Sequence, residues 1–173
     1  DVTVSNYEST GALTLGNSLN AGAVAITTKG TEGRTIALGT SANVTSRAVT
    51  ATTLADGQTL TLTGDKAVTL TSADADVTAT SYSGAVTATV DNANAATLTI
   101  GTGATTLNTS GAGTLTVNGD AGGTAALTIQ GGDADTGDVT VADYESTGTL
   151  TLGNSLNAGA VAITTKGSGG RTI

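Results

Sequence analysis

DVTVSNYESTGALTLGNSLNAGAVAITTKGTEGRTI, residues 1–36, sets the pattern from which the fold can be read. Val2-Thr3-Val4, Leu13-Thr14-Leu15, Val24-Ala25-Ile26 and, running past its end, Ile36-Ala37-Leu38 are triplets with apolar residues flanking a small or hydroxylated one. Gly, Asp, Asn and Ala are frequent in the intervals. Apolar and polar residues alternating over a few positions are the signal of a half-buried strand, and β-branched Val, Ile and Thr strengthen it. The triplet returns at Leu60-Thr61-Leu62, Val68-Thr69-Leu70, Leu98-Thr99-Ile100, Leu115-Thr116-Val117, Leu127-Thr128-Ile129 and Val139-Thr140-Val141. Across residues 17–28 Ala and Leu would tolerate a helix, but Gly16, Gly22 and the Val-Ala-Ile triplet break it. The class is all-β, with short strands and close turns.

Two architectures accommodate short strands at roughly ten-residue spacing. Tandem β-sandwich domains want large side chains between sheets some 10 Å apart. This chain has no Phe, Trp or Met and only 3 Tyr, so Val, Leu, Ile and Ala must fill its interior. A thin core of that kind suits a right-handed or otherwise parallel β-solenoid (β-helix) of short stacked strands, with the ten-residue rhythm marking one coil. A coil burying about three or four aliphatic side chains gains roughly 1.5–3 kcal/mol from each. Ordering its backbone costs about 1–2 kcal/mol per residue. A single coil therefore does not fold alone, and neighbouring coils supply the stability.

The opening stretch also recurs as DVTVADYESTGTLTLGNSLNAGAVAITTKGSGGRTI at 138–173. The two copies differ only at Ser5/Ala142, Asn6/Asp143, Ala12/Thr149, Thr31/Ser168 and Glu32/Gly169. Residues 1–137 are read as one long repeat unit of stacked β coils, and 138–173 as the start of the next, near-identical unit. A sequence that begins and ends inside one motif, without an initiating Met, is expected to be a segment of a longer chain.

Composition narrows the functional classes. With 14 acidic and 6 basic residues the net charge is −8, a sign that repels nucleic-acid phosphates and anionic membranes. No apolar run approaches the roughly 18–20 residues of a membrane helix, so neither nucleic-acid binding nor membrane insertion is expected. There is no His or Cys, which removes the usual bases and thiol nucleophiles. Lys29 and Lys166 occupy the same TTKG position and read as solvated turn residues. No enzymatic activity is expected.

The strongest chemical feature is acidic. Ala67–Thr165 contains no Lys or Arg, and within it Asp74 and Asp76 form one alternating pair, Asp133 and Asp135 another, followed by Asp138. Alternate carboxylates in a Gly-rich turn aim oxygens to one side, as a hard cation such as calcium requires, so these five residues are the candidate calcium ligands. The alternative is that Asp1, Asp76 and Asp138 start strands through Asx-type turns. Gly131–Asp138 also resembles a degenerate GGxGxDxUx calcium-binding nonapeptide, with Ala134 where a Gly belongs and no nine-residue recurrence.

Thr-x-Thr arrays at Thr59/Thr61/Thr63, Thr69/Thr71, Thr78/Thr80, Thr87/Thr89, Thr97/Thr99, Thr114/Thr116 and Thr149/Thr151 add a further possibility, an ice-binding face. Such ranks resemble the surfaces of β-helical antifreeze proteins, while their uneven spacing counts against the regularity a lattice demands. Tyr7 and Tyr144, equivalent in the YEST motif, are expected to pack on or close a coil.

Strand triplets, Gly/Asp turns, Thr/Ala richness and near-identical long repeats together resemble the β-strand-repeat regions of large bacterial extracellular proteins, including S-layer proteins, RTX-like adhesin stalks and surface filaments. The resemblance implies a secreted, extracellular or cell-surface protein that forms a rigid stalk, filament or surface layer by stacking and self-association. Its partners would be further copies of itself, with cell-surface polysaccharide as an additional candidate. It also leaves open a calcium-dependent adhesin extender that binds a surface or carbohydrate.

Overall fold

The structure is a computed structural model that describes residues 1–51, 54–72, 74–119, 124–131, 136–153, 156 and 159–173. Its strands in chain order are β1 Val2–Tyr7, β2 Ala12–Thr14, β3 Ala23–Thr28, β4 Arg34–Ala37, β5 Ser46–Ala51, β6 Thr59–Thr63, β7 Val68–Ser72 and β8 Asp76–Thr78. They continue as β9 Val86–Val90, β10 Ala96–Thr99, β11 Thr105–Thr109, β12 Leu115–Asn118, β13 Leu127–Gly131, β14 Val139–Tyr144, β15 Leu150–Leu152 and β16 Val161–Thr165. Odd-numbered strands make one 8-stranded sheet and even-numbered strands a second, each in sequential order. Every strand pairing is parallel. The chain therefore winds from one sheet to the other and back through about 7 turns of a β-solenoid. No helix is present among the described residues.

The all-β class and the parallel solenoid agree with the sequence. The coil size does not. The triplet rhythm predicts a coil every ten residues or so, but partners on neighbouring rungs are separated by 17 residues from Thr59 to Asp76 and by 26 from Arg34 to Leu60. The ten-residue rhythm is one strand and one turn, half a coil, because the chain crosses to the opposite sheet after every triplet.

Side chains at alternate positions of each strand point between the sheets and stack into columns along the axis. In the first sheet Val4, Ile26, Val49, Leu70, Ala88, Leu107 and Ile129 follow one another rung by rung. In the second, Leu60, Val77, Leu98, Val117 and Val141 do the same. Most of these are 0–2% exposed. Aliphatic side chains meet like side chains a rung away, at the roughly 4.8 Å spacing of paired strands. A narrow core of this kind is filled without Phe or Trp.

The corners are tight. At Gly103 a Cβ would fall well inside contact distance of the Gly84 carbonyl oxygen on the preceding coil, and at Gly137 it would meet the Gly113 carbonyl in the same way. These turns stack backbone on backbone, and glycine is what allows the approach.

Candidate functional site

The outward residues of each strand form the two broad faces of the solenoid, and the register turns scattered Thr-x-Thr motifs into ranks. On the first sheet Thr69, Thr87, Thr106, Thr128 and Thr151 are successive partners. Beside them run Thr27, Thr50, Thr71 and Thr89, continued by Asn108 and Gln130. Gln130 Nε2 donates to Asn108 Oδ1 at 2.6 Å, bridging two rungs. On the second sheet Thr35, Thr61, Thr78 and Thr99 align in the same manner.

Two corrections follow. The motifs are divided between the two faces: Thr59/Thr61, Thr97/Thr99 and Thr116 on the second sheet, Thr69/Thr71 and Thr87/Thr89 on the first. Uneven spacing along the chain also does not make the ranks irregular, because turns of different length absorb the difference and strand pairing restores the rung. Each face thus carries methyl and hydroxyl groups at about 4.8 Å along the axis and about 6.6 Å along the strand.

Among the described residues the charge carried on the outer surface gathers at the edges. Among the outward positions of the described strands, Asp76 is the one charged residue apart from Asp143 at the β14 bulge, while Asp1, Glu8, Glu32, Asp56, Asp65, Asp74, Asp91, Asp138 and Glu145 all lie in turns or at strand ends. Three exposed or partly exposed pairs, Lys29–Glu8 at 2.9 Å, Lys166–Glu145 at 3.3 Å and Lys66–Asp65 at 3.8 Å, decorate those edges. Pairs so open to solvent contribute little stability.

The carboxylates singled out as calcium ligands have structural duties where they can be seen. Asp74 Oδ1 accepts hydrogen bonds from the backbone N–H of Ala93 at 2.8 Å and of Asn94 at 2.9 Å, and Asp76 Oδ1 accepts from Thr97 N at 2.7 Å. Each acid ties its own coil to the next. Asp1 does the same to Ala23 N, at 2.9 Å. Asp138 is exposed and precedes β14, three rungs from β8, so it stands roughly 14 Å along the axis from Asp76. Asp133 and Asp135 lie outside the described residues. Among the described residues no three acidic, His or Cys side chains converge to hold a metal ion.

Two arginines that composition shows only as charge are buried, Arg34 at 3% and Arg47 at 5% exposure. Arg34 clasps its loop, its guanidinium donating to the carbonyls of Lys29, Glu32, Gly33 and Tyr7. Arg47 stands in an interior column directly after Val24 and donates to the carbonyls of Ser41 and Val44. Its Nε has no hydrogen-bond partner among the described residues. It lines a shallow cavity of about 170 Å³ with Thr45, Ser46, Val68, Thr69 and Thr87. The signal for Arg34 was in the sequence, since a two-residue period places it on the side of Ile36 and Leu38.

Tyr7 and Tyr144 act as expected. Tyr7 OH donates to Gly11 O at 2.6 Å, and Tyr144 OH to Gly148 O at 3.1 Å, each closing its own turn. Tyr82, fully buried, donates to the Lys66 carbonyl. Burial pushes the Tyr82 phenol up to about 12, Arg47 opposing and Asp65 adding to the shift. An unfolded tyrosine ionises near 10, so above that pH the unfolded chain sheds a proton that the folded chain retains, and stability falls. Between pH 10 and 12 the loss attributable to Tyr82 is expected to be roughly 2 kcal/mol. Thermal melts of wild type and Tyr82→Phe should show a smaller pH dependence in the variant across that window; parallel curves would refute the assignment.

Compared with family models, curated proteins and solved structures, the chain matches none.

Proposed function

We propose that this chain is part of an extracellular structural protein, bacterial and exposed at the cell surface, that forms a rigid stalk, filament or surface layer by stacking and self-association. One observation carries the reading. The chain winds through about 7 turns in which each coil is covered by the next, as Val24 is by Arg47 and Ile36 by Leu62, and the opening stretch returns almost unchanged at 138–173, so the same stacking surface is built more than once along a single rod. A scaffold role also accords with the resemblance to S-layer, adhesin-stalk and surface-filament repeats, and no chemistry is asked of the residues. Electron microscopy of the native protein is expected to show elongated rods, fibres or sheets. Compact, dispersed monomers would defeat the proposal.

The acids permit a cation-dependent version in which the remaining carboxylate oxygens at the turns bind calcium and stiffen an adhesin extender. Calcium removal should then lower the melting temperature and loosen assembly, and unchanged melting would set this version aside. The in-register threonine ranks favour a second reading, an ice-binding face. It predicts that the protein shapes growing ice crystals and that Thr87→Lys, in the middle of a rank, abolishes the effect without altering stability. Unshaped crystals in the presence of wild type would dismiss it.

A further inference from the structure

The two copies of the opening stretch fold alike but in opposite sheets. β1 belongs to the first sheet and its copy β14 to the second, and β3 and β16 follow the same exchange; β2 and β15 exchange the other way. Local structure is preserved through the exchange. Asn6 and Asp143 share a positive φ, 57° and 51°. Arg34 Nε reaches Tyr7 O at 3.4 Å and Arg171 Nε reaches Tyr144 O at 3.2 Å. The Lys29–Glu8 and Lys166–Glu145 pairs also correspond. The cause is parity. β1 to β13 precede the copy, an odd number of strands, and successive strands alternate between sheets.

We infer that successive units of the array are turned half a revolution about the solenoid axis, so that the surface through which one copy of the chain meets another is presented on both broad faces in alternation. This rests on the self-association proposed above and adds its geometry. Ala25 faces outward on the first sheet, and its copy Ala162 faces outward on the second, both exposed. Whatever a unit displays on one side, the next displays on the other, one unit further along. The occupant is a second copy of this chain, for a reason of charge: with Lys29, Lys66 and Lys166 each already facing a carboxylate there, rim-to-rim approach sets net-acidic turns against net-acidic turns, whereas face-to-face approach brings together Thr, Ala, Ser and Asn. A contact made on one face leaves an identical one open on the opposite face, so association continues sideways instead of closing as a pair.

The absence of cysteine makes the test clean. Spin labels on Ala25→Cys and Thr151→Cys lie in one column six rungs apart, about 29 Å along the axis. Labels on Ala25→Cys and Ala162→Cys have a similar axial separation but must also span the roughly 10 Å between sheets and both label arms. The copy pair is expected to measure about 8–10 Å longer than the column pair. Distances equal within one rung would overturn the inference. In the native array, gold coupled to Ala25→Cys and its equivalents should alternate between the two sides of the filament, and gold along one side only would also overturn it. If gold alternates but arrays never associate laterally, the self-association reading fails while the half-turn stands.

Discussion

Gly103→Val is expected to destabilise the solenoid by at least about 3 kcal/mol, whereas Gly16→Ala should fall within about 0.5 kcal/mol of wild type. Gly103 lies in the turn entering β11, and an added Cβ meets backbone, the carbonyl group of Gly84 one coil earlier, with Ser83 O behind it. No rotamer change relieves a clash with backbone. The rungs would have to separate, and the same rungs are pinned along β9 and β11 by register from Val86↔Thr105 to Val90↔Thr109. Valine adds two methyl groups to the collision. At Gly16 nothing lies within 4 Å of the added atom, and its φ is not in the left-handed region. Thermal melts of the two variants provide the check. The valine change should lower Tm by on the order of 10 °C. Similar melting of both variants would mean that the coils are not stacked as closely at this corner as described.

Leu107→Ala is the second large effect, with an expected loss of about 3–5 kcal/mol, the upper part of the range for a buried leucine. Leu107 is 0% exposed and stands between Ala88 and Ile129 in its column. Alanine at 107 would put two small residues on consecutive rungs. The resulting void cannot close by sliding the rungs together, because strand pairing holds them about 4.8 Å apart. Position in the stack matters as well. Each rung depends on its two neighbours, so a weak rung in the middle divides the solenoid, while one at the end only frays it. Leu13→Ala, whose side chain is only half-buried, should cost about 1 kcal/mol. Hydrogen exchange should show lost protection in β9 and β13 for the Leu107 variant and in β2 and β4 for the Leu13 variant. Equal losses at the two sites would contradict nearest-neighbour stability.

The sequence made the strand class and the stacked architecture legible through triplets whose inward positions are Val, Leu or Ile. Nine of the strands preceding the second copy carry such a triplet, and β5, β8, β9 and β11 do not. The reason lies in what those strands turn inward: Arg47 and Ala51 in β5, Ala88 in β9, Thr105 and Thr109 in β11, and in β8 a lone Val77 flanked by Ala75 and Ala79. Small or polar interior residues hide the alternation, so neither the number of strands nor its parity could be counted from triplets. Coil size is not legible for a related reason, since nothing in a strand's composition says which of two similar sheets it joins. The acid pairs were legible as a cluster of oxygens, but their engagement with Ala93, Asn94 and Thr97 depends on which coil lies next to them. Tyr7 and Tyr144 could be placed because the contact each makes is local, four residues away.

Parallel rungs joined edge to edge also determine how the molecule would bear a load. Tension along the axis falls on the hydrogen bonds between one pair of rungs at a time, and an end rung, with a neighbour on one side only, is the weakest link. Failure would therefore proceed by peeling. Each coil released, some 20 residues, pays out about 65–70 Å of extended chain while the remainder of the rod keeps its shape. A tether built this way yields in steps and lengthens before it parts, and it re-winds onto the template of the last intact rung when the load is removed.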